Sequence, residues 1–138
     1  MAKGLIFFIL LFASINLVAG ERFAVPYRPD IDLTKNAVYF NCNDANFTVD
    51  ISRPLIPFNK LKITLKTDID TLTGVKATLN MKMDMGNFNY TFRNINGLYE
   101  TEFILPKCLW GDKRWFVKLS IIYNHSQCEK VLLFDMVR

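Results

Sequence analysis

The sequence predicts an all-β fold: an immunoglobulin-like antiparallel β-sandwich of seven or eight strands. Three observations point there. Apolar residues recur at every second position in one segment after another, turn-forming residues separate those segments, and no stretch carries a helical period. Strands of this length and spacing pack as two sheets or close into a barrel; the sandwich is the primary expectation and the barrel the alternative.

The first twenty residues stand apart from that pattern. A short basic start ending at Lys3, an apolar stretch from Leu5 to Ile15, and small residues at Ala19-Gly20 form the plan of a secretory signal peptide. The stretch falls short of the roughly 20 apolar residues that a membrane span needs, so an uncleaved anchor is the lesser reading. Cleavage after Gly20 takes 20 of the 138 residues and leaves 118, the size of one domain over residues 21–138. Lys3 goes with the leader, so the formal net charge drops from +4 to +3. That charge is mild and scattered, which argues against a nucleic-acid partner; a protein partner and a periplasmic or extracellular location are expected, with no membrane span after cleavage.

The elements follow in order. After a leader from Phe23 to Leu33, Phe47, Val49 and Ile51 share one face of a strand that Arg53-Pro54 ends, because proline cannot donate to the ladder. Leu61, Ile63 and Leu65 alternate with Lys62, Thr64 and Lys66. Val75, Ala77, Leu79, Met81, Met83 and Met85 then line one face of a long strand, opposite Lys76, Thr78, Asn80, Lys82 and Asp84. Gly86-Asn87 breaks it, and Phe88, Tyr90 and Phe92 begin the next. Asn94-Ile95-Asn96-Gly97 signals a tight hairpin, since Asn-Gly accepts positive φ angles. Tyr99, Phe103 and Leu105 point inward on the following strand. A loop with Cys108 and Trp110 leads to Trp115, Val117, Leu119, Ile121 and Tyr123, and a last strand runs from Val131 to Val137.

Counting chain reversals sorts the loops between two ends. The turn after Met85 and the Cys108 loop fall at one end, called the top; Cys42 and Cys128 fall at the bottom. Cys108 and Cys128 flank a strand of nine residues, about 30 Å at roughly 3.3 Å each, which is beyond disulfide reach. Cys42–Cys128 is therefore the expected bridge in an oxidising compartment, with Cys42–Cys108 the alternative. Sequons at Asn46, Asn89 and Asn124 are acceptor sites only in a eukaryotic source.

The expected pairing leaves the Cys108 thiol near the end of the methionine strand. Thiolate and thioether ligands select Cu(I), so Cys108 with Met83 and Met85 is a candidate copper site. The same methionines continue a buried face, so core filling is the first explanation of them, ahead of the copper site, and the lining of an apolar ligand pocket is the third. Met83-Asp84-Met85-Gly86, Gly97-Leu98-Tyr99 after a tight turn, Leu105-Pro106-Lys107-Cys108 and Trp115 opening a strand together resemble the FixH/YtkA-like immunoglobulin-type group of exported bacterial domains. The resemblance spans about residues 45–137. It implies a non-enzymatic periplasmic or surface domain, and some members of that group are associated with copper handling or the assembly of copper-containing oxidases. The chain has no His near its mature N-terminus and no His-Met pair, which argues against tight Cu(II) binding.

Enzyme chemistry has little to work with here. His125 is the single histidine and falls in a bottom loop, away from Cys108, so no Cys–His pair forms, and no Gly-x-Ser-x-Gly elbow occurs. Glu100 and Glu102 lie two residues apart on an outward strand face. Asp68 and Asp70 occupy a polar loop without a full Ca²⁺ ligand set. The expected function is an exported binding or assembly-factor domain, with Cu(I) as its cofactor or cargo. The alternative is a metal-free interaction module that uses strand edges or end loops, Trp110 among them, to bind another protein.

Overall fold

The structure, a computed structural model, describes residues 31–82, 86–109 and 111–137. The expected signal peptide, most of the expected leader, and Met83, Met85 and Trp110 lie outside the described residues. Among those described, nine strands form: β1 Val38–Cys42, β2 Ala45–Ile51, β3 Lys60–Thr67, β4 Gly74–Met81, β5 Phe88–Thr91, β6 Arg93–Ile95, β7 Leu98–Ile104, β8 Arg114–Tyr123 and β9 Ser126–Asp135. They make two antiparallel sheets, ordered β1-β2-β3-β7-β6 and β5-β4-β8-β9. With β2 to β9 taken as strands A, B, C, C′, D, E, F and G, these orders are A-B-E-D and C′-C-F-G, the arrangement of an immunoglobulin sandwich.

The period-two alternation becomes the core. Phe47, Val49 and Ile51 of β2, Leu61, Ile63 and Leu65 of β3, and Tyr99 and Phe103 of β7 face Val75, Ala77, Leu79 and Met81 of β4, and Trp115, Val117, Leu119, Ile121 and Tyr123 of β8. Aromatic rings cross the interface between the sheets: Phe47 meets Tyr123 with centroids 5.9 Å apart, and Tyr90 meets Phe103 at 5.1 Å. Such pairs add specific geometry to the burial of large apolar area.

The structure has more strands than the seven or eight expected, for two reasons. β1 forms because Asn43 and Asp44, both at positive φ, close a two-residue turn that pairs Cys42 with Ala45. Short polar side chains tolerate that backbone region better than others do. The second reason is that the strand after Gly86 changes sheets. Phe88–Thr91 pairs with β4, Phe92 turns inward, and Arg93–Ile95 pairs with β7. Asn96 and Gly97, again both at positive φ, make the expected tight hairpin. The final strand begins at Ser126, five residues before Val131, because Asn124-His125 forms a third two-residue turn. One side chain departs from its expected face environment: Asn80 is buried, in register with Phe116 and Leu133, which are also buried.

Both long sides of the sandwich are closed. On one side the β5–β6 strand runs continuously from sheet to sheet. On the other, Cys42 of β1 bonds to Cys128 of β9, with Cα atoms 6.1 Å apart, and the Tyr123 hydroxyl donates to the Cys42 carbonyl at 2.7 Å. Nearer the top, Ile31–Leu33 runs parallel to β9: the Leu33 amide donates to the Leu133 carbonyl, and the Leu133 amide donates to the Ile31 carbonyl. Access to the interior is thereby left to the two ends.

Candidate functional site

The top end holds a pocket of about 340 Å³. Three connections build it: the β2–β3 loop, which supplies Pro57; the β7–β8 loop, which supplies Pro106 to Cys108 and Gly111 to Lys113; and the tail after β9, with Met136 and Val137. Trp115, the first inward residue of β8, also lines it. Backbone bonds tie the three segments together. Phe58 donates its amide to Leu105, Val137 to Leu55, and Met136 to Lys113, at 2.7–2.9 Å. Gly111, at φ 84°, bends the long loop back so that its amide reaches the Cys108 carbonyl.

Apolar groups dominate the lining: Pro57, Pro106, Trp115, Met136 and Val137, with Cys108. Cys108, Trp115 and Met136 are otherwise buried. Exposed apolar side chains stand near the same end, Phe58 after Pro57 and Leu109 after Cys108, the latter 94% exposed. The ionisable lining consists of Lys107, Asp112 and Lys113. Asp112 accepts the Arg114 amide at 3.2 Å. Arg114 itself grips Asp135 with two nitrogens at 2.8 and 3.0 Å. That hydrogen-bonded contact holds the Asp135 carboxyl below its ordinary range, partly offset by burial, and raises the Arg114 guanidinium.

The cysteine expectation holds: Cys42 and Cys128 are bonded at the bottom, and Cys108 is a buried free thiol at the top. Of the proposed copper ligands, Met83 and Met85 lie outside the described residues. Met81, two residues before Met83, is core, and among the described residues the second sulfur that lines the pocket with Cys108 is Met136. The sequence reading missed Met136, although counting reversals places the end of β9 at the top. Among the described residues, no three of His, Cys, Asp and Glu come together as a metal-holding group.

The other polar candidates have ordinary partners. Glu100 and Glu102 lie opposite Thr64 and Lys62 on β3, and Lys62 reaches both carboxylates at 3.6 and 3.9 Å. Asp68 accepts from the Asn46 amide and side chain, and His125 is an exposed turn residue at positive φ. No helix of the described residues is long and apolar enough to cross a membrane. Neither a family, nor a curated protein, nor a solved structure matches this chain.

Proposed function

We propose that the protein is an exported, non-enzymatic binding domain and that the top-end pocket is where it binds, taking the apolar part of a small ligand. The carrying observation is the pocket itself. Its volume lies at the lower end of the roughly 300–1,000 Å³ typical of ligand sites, and its wall is apolar with few polar groups. Exposed Phe58 and Leu109 each follow a lining residue in the chain, Pro57 and Cys108, and extend the apolar surface at that end. The disulfide suits an oxidising, exported compartment.

A second reading, Cu(I) binding or delivery, is favoured by one observation: the Cys108 thiol and the Met136 thioether line the same pocket. Soft sulfur donors of this kind select Cu(I), and Met83 and Met85 would complete the set. It is also the reading that the FixH/YtkA-like resemblance supports.

One titration tests both. The mature protein is followed by amide NMR while octanol, and separately Cu(I) under reducing conditions, is added to wild type, Val137→Trp and Cys108→Ser/Met136→Leu. Saturable octanol shifts around Cys108, Trp115 and Met136, abolished in the folded Val137→Trp variant whose larger side chain fills the pocket, support the first reading. If octanol leaves those residues unmoved, that reading fails. Tight Cu(I) binding lost in the sulfur variant supports the second, and no Cu(I) binding removes it; failure of both leaves the metal-free protein-interaction module.

A further inference from the structure

The charge distribution around the pocket specifies the ligand further. We infer that the pocket takes a small amphiphile with an apolar body and a single anionic head, held by Lys107 and Lys113. The inference rests on the pocket being a ligand site, as proposed above, and adds the chemistry of the ligand's polar end.

The argument is one of which charges are already committed. Arg114, next along the chain, is neutralised by its two-pronged contact with Asp135 and contributes little net field to the pocket. Asp112 has one oxygen occupied by the Arg114 amide. Lys107 and Lys113, like Lys35, Lys66, Lys76 and Lys130, form no ion pair among the described residues, and what sets these two apart is that both line the pocket. The lining therefore carries two ammonium groups against one carboxylate. A cationic head would meet net repulsion, and a neutral one would gain only the weaker hydrogen bonds that an ammonium donates to an uncharged acceptor. An anionic head would gain charge-assisted hydrogen bonds while its apolar body covers Trp115 and Met136.

Both lysine side chains are exposed, and their backbones belong to the pocket wall. Lys113 accepts the Met136 amide through its carbonyl, and Lys107 lies between Pro106 and the buried Cys108, all three lining the pocket. Their backbones are thus fixed relative to the apolar wall. The volume suits a short chain or a single ring, not the paired chains of a bilayer lipid.

Octanoate, octanol and octylamine share a chain and differ in head charge, so calorimetric titration of the mature protein with each isolates the inference. Octanoate is expected to bind about fivefold more tightly than octylamine, and Lys107→Gln/Lys113→Gln should erase that preference, since an exposed ion pair is worth at most about that factor. High salt should weaken octanoate and leave octanol unchanged. Equal binding of octanoate and octylamine, or a preference that survives in the double variant, would overturn the anionic head while octanol binding upheld the pocket. Binding of none of the three would overturn both. Co-sedimentation with phosphatidylglycerol vesicles that excess octanoate does not compete away would also overturn it, assigning the lysines to a membrane surface.

Discussion

Phe58 pays for its position. Its φ of 66° lies in the left-handed region, where an L-residue bearing a bulky side chain is disfavoured by about 1–2 kcal/mol, and its ring is 66% exposed, so little burial compensates. Its amide bond to Leu105 fixes the backbone there, one residue after Pro57 of the pocket wall. Phe58→Gly should therefore stabilise the fold by about 0.5–1 kcal/mol in denaturant unfolding, the strain relief being reduced by glycine's greater unfolded-state freedom. A loss of stability of that size would mean that the ring, not the backbone, decides the energetics of this turn. At the same scale, Cys108 shows what a sequence conveys about one residue. Its end of the fold and its unpaired state followed from strand counting, whereas its burial, and the presence of Met136 in the same pocket wall, depend on where the tail after β9 folds back.

At the scale of elements, β8 and β9 begin and end at the top as a clamped pair. Arg114 and Asp135 face each other across the first rung of that ladder. The folded-state pKa of Asp135 is lowered, chiefly by the Arg114 hydrogen bond, so the stabilisation is fully present above the unfolded-state value of about 3.9 and is lost as pH falls through the lower folded value. Because Arg114 is half exposed, the contribution should be below about 1 kcal/mol. Asp135→Asn should be less stable than wild type by that amount at neutral pH, with the two curves converging in acid; a gap that persists to pH 2 would point to lost packing instead. Elements whose alternation is long, such as β3, β4 and β8, were legible in the sequence because each buries one face against the opposite sheet. β1 and β6 were not. Each is defined by a two-residue turn and a single neighbouring strand, so the signal lies in Asn43-Asp44 and in the inward turn of Phe92, not in periodicity.

For the whole molecule, the Cys42–Cys128 bond joins positions 86 residues apart and closes the side where the two sheets would otherwise separate. Closing so long a loop restricts the unfolded chain strongly, and its loss should cost roughly 2–5 kcal/mol. Thermal unfolding of the protein with and without reductant, and of Cys42→Ser/Cys128→Ser, should show a fall in midpoint of about 10 °C or more. A midpoint unchanged by reduction would show that the Ile31–Leu33 pairing and the Tyr123 hydrogen bond hold that side unaided.

The strand that switches sheets at Phe92 has a further effect on how copies of the molecule meet. By dividing one run of residues between both layers it leaves edges of only four and three residues on that side, β5 and β6. An edge so short offers too few unpaired amides and carbonyls to recruit a neighbouring chain, and the opposite border is stapled and partly paired along β9. At high local concentration, this shell should resist the edge-to-edge stacking that seeds fibrils.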